Sequence, residues 1–409
     1  MERFTEKNIL SALENGSLYL YGLPGCGKTT VCQHVLKTLH RDFISFDCNV
    51  DSSLRKLFEK SDYNDLTEII ASEAGVNPGQ LTDSLVVIDS LEALKKDALC
   101  YLLNRVPERN FLLVGVLPLS MIGENSISEI RLRPFSFTEW LFFMEHEEYA
   151  EMLRARSAFG KEVPGFFRPE ILEAFENFLL TGGFPEICRK AREERFDISA
   201  VAAFEKHYFI ALLSEMTDYG AAFGLISREK LRKLLELAGE ALPEYRKVLT
   251  FSHIRKGICA ADFKKELDFL REAGIAFPVS LGAGIRLEMT DVGMSRFLAG
   301  DYRLFLETEE LREFPVSPLQ NFLYTELLSP GEKAGTWQSE RTAFVNLVME
   351  KEKKAYLCAG GKHMKSGSIF RKQMENYELW NVGFEFTTEN DDKDSKHNIS
   401  YPEIAKTQF

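Results

Sequence analysis

The residues with the clearest chemistry stand together near the start of the chain: Gly22, Leu23, Pro24, Gly25, Cys26, Gly27, Lys28, Thr29 and Thr30. From Gly22 to Thr29 the order is Gly-x-x-x-x-Gly-Lys-Thr, with Gly25 as a further flexible point. A loop of that kind can curl until consecutive backbone N–H groups converge on an anion, and Lys28 adds a mobile positive charge. Thr29 offers a hydroxyl oxygen, the hard donor that magnesium prefers. The stretch is expected to cradle the phosphates of a nucleoside triphosphate, with Thr29 on the metal ion that bridges them. Two acids further on belong to the same chemistry. Asp89 is expected to organise the magnesium ion, and Glu92 reads either as a carboxylate that polarises the attacking water or as a structural, solvated one.

These residues need elements to hold them. Leu18–Tyr21 reads as a strand that delivers the loop, and the helix after it, apolar at Val31, Val35, Leu36 and Leu39, aims the positive end of its dipole at the same point. Phe43–Phe46 reads as a second strand, followed by helical segments over 54–60 and 64–73. Leu85-Val-Val-Ile-Asp89 has the pattern of a buried parallel strand whose carboxylate emerges at its C-terminal edge, the Walker B pattern. Phe111–Val116 and a short Ile130–Leu132 complete an α/β arrangement in which strands alternate with helices around a parallel sheet.

A chain of 409 residues with 45% hydrophobic content can build large cores and more than one domain. The first residues lack the apolar stretch of a signal peptide and no apolar run approaches the roughly 20 residues that span a bilayer, so a cytoplasmic protein without membrane contact is expected. Seven cysteines, scattered and never spaced Cys-x-x-Cys, argue against a disulfide framework and a zinc site. A net charge of −12 repels polyanions at long range, so DNA binding would need a local basic face.

Beyond the first sheet, Ser136-Phe-Thr-Glu139 has the spacing of a capping box, and Trp140-Leu-Phe-Phe-Met144 makes its helix apolar all round, the mark of a buried helix. Pro169–Leu180 carries apolar residues at helical spacing and stops at Gly182-Gly183. Helices are expected at about 198–215, 228–238, 243–250 and 261–273, then a hairpin turning at Gly282–Gly284, the outline of a winged helix. Lys264, Lys265 and Arg271 could face DNA there, though a solvated helix face is the simpler reading. Residues 342–349 and 355–358 read as a hairpin, followed by a helix over 366–377 and a strand at 382–386. The charged run 389–397 reads as a loop.

Several of these stretches in order, the phosphate loop, the Asp-ended strand, Leu132-Arg-Pro-Phe-Ser-Phe-Thr-Glu139, Leu180-Thr-Gly-Gly-Phe-Pro-Glu186 and Met289-Thr-Asp-Val-Gly293, resemble the prokaryotic AAA-type ATPases with a C-terminal domain of unknown function. That resemblance implies an ATPase core over 1–140, a helical lid over 141–220, a winged-helix-like domain over 221–300 and an endonuclease-like domain over 301–409. It also exposes departures. Relatives carry Asp-Glu at the end of the Walker B strand, and this chain has Ser90 in the place of that Glu. Ser120 is a weak stand-in for the residue that senses the terminal phosphate. An endonuclease of that build holds its metal with an Asp and a Glu-x-Lys, whereas Thr342-Ala343-Phe344 and Cys358-Ala-Gly-Gly-Lys362 offer no such set, so a degenerate domain without nuclease activity is expected. Arg131 and Arg133 are candidates to reach the terminal phosphate, or to form salt bridges at a sheet edge. The expected function is an ATP-binding switch with slow magnesium-dependent hydrolysis coupled to movement of the C-terminal domains. A nucleotide-bound scaffold acting through protein contacts, and a DNA-binding factor acting through the winged helix, are the alternatives.

Overall fold

The computed structural model describes residues 3–39, 41–59, 66–106, 110–123, 127–159, 162–300, 316–328, 334–339, 343–358, 364–384 and 398–404. The chain divides into two compact units. The first comprises Met1–Arg133, Leu212–Arg228 and Glu272–Gly274; the second comprises Pro134–Ala211, Glu229–Arg271 and Ile275–Phe409.

Five strands, β1 (Leu18–Tyr21), β2 (Phe43–Asp47), β3 (Leu85–Asp89), β4 (Phe111–Gly115) and β5 (Ser128–Arg131), form the sheet of the first unit. All its pairings are parallel, in the order β2-β3-β4-β1-β5. The residues of β1 and β4 are buried throughout and β3 only begins to emerge at Asp89, as expected of central strands covered on both faces. Because strands in a parallel sheet all end at the same edge, this order sets the ends of β1 and β3 on one side of the sheet with β4 between them. Leu18, Leu20, Val87, Leu112 and Val114 share a core with Val31, Val35 and Leu36 of the helix Lys28–Leu39 and with Ile9 and Leu13 of the helix Phe4–Asn15. The periodicity of Val31, Val35 and Leu36 is thus the face that packs on the sheet.

The second unit holds a seven-stranded sheet of β6 (Ala276–Leu281), β7 (Gly284–Met289), β8 (Ala334–Gln338), β9 (Phe344–Met349), β10 (Lys354–Cys358), β11 (Glu378–Gly383) and β12 (Asn398–Ser400), in the order β12-β11-β10-β9-β8-β6-β7. The expected hairpins form: β6 pairs antiparallel with β7 around Gly282 at φ +58°, and β9 with β10. Strands β8 and β12 carry no pattern strong enough to be foreseen. β8 joins the two hairpins into one sheet, parallel to β6 at Ser280 and antiparallel to β9. Along β10, Tyr356 and Cys358 face one cluster with Trp140, Phe175, Phe178 and Phe322, while Ala355 and Leu357 face another with Phe370 and Leu379.

The helix Phe137–Phe143 starts as its sequence predicts. Ser136 Oγ accepts the Glu139 N–H at 3.3 Å and Glu139 Oε2 accepts the Ser136 N–H at 3.1 Å. Trp140 is fully buried and its indole N–H donates to Thr181 Oγ1 at 2.9 Å. The helix Arg168–Thr181 ends at Gly182, φ +63°. The helix expected at 198–215 runs further, Ile198–Ala222.

The helix expected at 243–250 does not form; turns and irregular backbone stand there, and a short 3-10 segment, Phe251–His253, follows. Pro243 disfavours the helical region for Leu242. The carbonyls that a helix would use are taken by Arg286, whose guanidinium donates to Ala241 O (2.9 Å), Leu242 O (3.2 Å), Glu244 O (2.6 Å) and Lys247 O (3.1 Å). Arg286 is fully buried and paired at 2.5 Å with Glu288, also fully buried. Among the expected residues, Thr342, Lys362 and the run 389–397 lie outside the described ones. No described helix is long and apolar enough to cross a membrane.

Candidate nucleotide site

At the end of β1 the chain turns through Gly22, then through Gly25 at φ +74° and Gly27 at φ +95°, backbone values that only glycine adopts freely. Gly22 has a second reason to lack a side chain, since a Cβ there would lie 2.2 Å from the carbonyl oxygen of Leu132. The helix begins at Lys28, so the amides of Lys28, Thr29 and Thr30 are in its first turn and have no partner within the helix. Lys28 is 8% exposed and its ammonium donates to Gly22 O at 2.8 Å and Leu23 O at 3.1 Å. It lies folded over the mouth of the loop.

Thr29 Oγ1 donates to Asp89 Oδ2 at 2.7 Å, so the fold brings together two residues sixty positions apart. The other carboxylate oxygen, Oδ1, accepts the Ser90 N–H at 2.7 Å. Ser90 is a non-glycine residue in the left-handed region, φ 59° and ψ 43°. That turn starts the 3-10 segment Leu91–Ala93 and carries Glu92 back toward the loop. Burial pushes the Glu92 carboxyl above its ordinary range, Lys28 opposes that rise and Asp89 adds to it, so all three groups feel one another. Glu92 Oε2 is buried without a hydrogen-bond partner.

A hydroxyl, one carboxylate and a second carboxylate with an unbonded oxygen are hard donors suited to magnesium, which keeps several waters and takes phosphate oxygens for the rest. Among the described residues no group of three or more His, Cys, Asp or Glu side chains could hold a metal alone. Two nearby thiols are poor nucleophiles. Cys48 is pushed up to about 12, chiefly by burial, and burial raises Cys32 as well.

The other sequence candidates fall elsewhere. Arg131 is at the end of edge strand β5; burial lowers its pKa, while Tyr21, Cys26 and Glu272 favour its charged form. A Cβ on Gly274 would fall 1.2 Å from Arg131 Nη2, so this guanidinium packs on the Gly274 backbone. Ser120 is exposed in the short helix Leu119–Ile122. In the second unit Lys264 and Lys265 are exposed, and Arg271 is paired with Asp268 at 2.9 Å.

Three residues near the loop escaped sequence reasoning. Arg3 donates to Cys26 O at 3.3 Å from behind the loop. Glu215 and Tyr219, one turn apart on the helix Ile198–Ala222, lie within electrostatic reach of Lys28 and of Glu92 respectively. Lys96 anchors that end of the helix by donating to Phe223 O at 3.0 Å. A single Arg before a helix, and a Glu and Tyr four apart inside a long one, carry no sequence signal.

Residues 12–130 match the family model described as an AAA domain. The match spans β1 to β5 but for Arg131, and contains the phosphate loop, Asp89 and Glu92, so this part of the chain is similar to AAA domains. No curated protein matches the chain. Among solved structures, the Walker-type ATPase PABY2304 of Pyrococcus abyssi is similar at 15% identity over 72% of this chain and 94% of that one, with a TM-score of 0.46. The RuvB Holliday junction branch migration motor of Thermotoga maritima, at 15% identity, covers 70% and 92% with a TM-score of 0.28. A signal transduction ATPase with numerous domains and a tetratricopeptide repeat sensor, PH0952 of Pyrococcus horikoshii, covers 78% and 44%, also at 15% identity and a TM-score of 0.28.

Proposed function

We propose that the protein binds ATP with magnesium and hydrolyses it slowly, and that nucleotide state is passed to the rest of the chain. The observation that carries this reading is the 2.7 Å contact between Thr29 and Asp89, which joins the phosphate loop to the Asp-ended strand. The loop amides from Gly25 to Thr30 hold the phosphates. Lys28 exchanges two neutral carbonyls for phosphate oxygens, a stronger, charge-assisted bond. Thr29 and Asp89 hold the ion, which when bound neutralises charge on the outer phosphates.

Glu92 is the water-activating base in this reading. Its unbonded oxygen is available to a water, and its raised pKa makes it a better proton acceptor than a solvated glutamate. As the water oxygen bonds to the terminal phosphorus and the bond to the leaving ADP oxygen breaks, the water proton passes to Glu92. Relatives place the acid next to the Asp; here it comes two residues later, behind a left-handed Ser90. Turnover is therefore expected well below the roughly 10 per second typical of enzymes. The helix Ile198–Ala222, whose second half from Leu212 belongs to the first unit, is the proposed carrier of nucleotide state. Residues 221–300 and 301–409 read as winged-helix-like and degenerate endonuclease-like, with a protein partner as their ligand.

The test is phosphate release from ATP and magnesium by the full chain, with and without DNA. Slow release that Lys28→Ala abolishes, together with ATP binding, is expected. Tight binding without release favours a scaffold, stimulation by DNA favours a DNA-handling factor, and no binding refutes the site.

A further inference from the structure

One charged side chain grips the phosphate loop from outside the motif. Arg3 is 5% exposed, just before the helix Phe4–Asn15, and its N–H donates to Glu6 Oε1 at 2.9 Å. Its guanidinium forks. Nη1 donates to Cys26 O at 3.3 Å, and Nη2 donates to Arg133 O at 2.6 Å.

The Cys26 carbonyl belongs to the same peptide group as the Gly27 N–H. In a planar trans peptide the two point in opposite directions, so whatever holds the carbonyl also aims the amide. Gly27, at φ +95° and without a Cβ, does not select that orientation by its own sterics. The second prong ends on firmer ground. Arg133 follows β5, and the Leu132 N–H donates to Tyr21 O at 2.7 Å, which fixes this segment beside β1. Leu132 O in turn closes on Gly22 at the mouth of the loop. Glu6, which caps the same helix, lies 3.6 Å from His34 Nδ1 on the helix that follows the loop. The loop and the segment after β5 thus meet at one guanidinium, while Glu6 links the first helix to the loop helix through His34.

We propose that Arg3 is a positioning residue for nucleotide phosphates: by holding the Cys26 carbonyl outward it points the Gly27 N–H into the anion site. The inference rests on the nucleotide-binding reading above. Arg3 does not touch the nucleotide. A lysine would hold the two carbonyls less well, because its donors radiate from a single nitrogen and lack the planar fork that sends a separate N–H to each.

Two measurements on the full chain test it: the Kd values of ATP, ADP and adenosine, and the Gly27 amide signal in protein labelled with nitrogen-15 glycine. Arg3→Ala is expected to weaken ATP and ADP about ten-fold each, or roughly 1.4 kcal/mol, with adenosine unaffected. The Gly27 amide signal should shift and exchange faster with solvent. Arg3→Lys should fall between, and it carries the test if Arg3→Ala does not fold. A folded variant binding ATP within about two-fold of wild type, or an unchanged Gly27 amide, would overturn the proposal. Wild-type protein that fails to bind ATP would instead sink the phosphate-loop reading itself.

Discussion

Replacing Glu92 by Gln removes one charge and keeps the shape. Because Glu92 Oε2 has no hydrogen-bond partner, the substitution breaks no bond at that atom, and it neutralises a carboxylate that burial already disfavours. Stability should hold or rise slightly. ATP affinity should be equal or tighter, since an acid within reach of Lys28 and Asp89 no longer opposes the incoming phosphates. The chemical step should suffer alone. Loss of a positioned general base lowers rates by about 10² to 10⁴, equivalent to roughly 3–5 kcal/mol in the barrier. Single-turnover phosphate release at saturating ATP measures that step, and a titration with labelled nucleotide measures binding. The pH profile adds an independent check. A base works only when deprotonated, so wild-type turnover should fall as pH drops through the Glu92 pKa, which lies above the ordinary glutamate value, and Glu92→Gln should lose that limb. Ser90→Glu should give no gain, because Ser90 is 9% exposed and left-handed, a conformation costing a larger L-residue roughly 1–2 kcal/mol. Turnover within two-fold of wild type in Glu92→Gln, with acceleration in Ser90→Glu, would refute this account of the base.

Asp89→Asn should weaken ATP binding more with magnesium than with chelator, as its carboxylate shares the Thr29 hydroxyl at the proposed ion site; equal losses in paired titrations would count against that role. Glu205 in the second unit is raised to about 8, chiefly by burial, although Arg296 donates to it and pulls the other way. A native pKa above the unfolded value means that the folded state holds the extra proton, so this contribution to stability is complete below about pH 4.5 and is lost as pH rises toward 8. The melting temperature of Glu205→Gln, relative to wild type, should therefore climb between pH 5 and 8; a difference that is flat or falls would show that Glu205 stays ionised beside Arg296.

The glycines that look alike in sequence do different work. A Cβ on Gly183 would meet Phe135 O at 2.1 Å, and the Gly183 N–H donates to the buried Asp291 carboxylate at 2.6 Å while its carbonyl accepts the Phe135 N–H at 2.7 Å. The last three of the stretches that carried the family resemblance, around Phe135, Gly183 and Asp291, thus lock together through the Gly183 backbone. Their spacing showed only that each was distinctive.

What the sequence determined by itself was local. Glycines at Gly22, Gly25 and Gly27 with Lys28 and Thr29 define a phosphate loop in any context that supplies a strand before and a helix after. The buried run ending at Asp89 defines its strand, and Ser136 with Glu139 starts a helix, because each effect acts within a few residues. The tertiary structure alone decided how distant groups combine. It set Thr29 on Asp89, returned Glu92 toward Lys28 through a left-handed Ser90, and brought Arg3 behind Cys26. It also dissolved the helix expected at 243–250, since local helical preference is weak against a buried guanidinium that, from a strand some forty residues away, takes two of that segment's carbonyls and the two just before it.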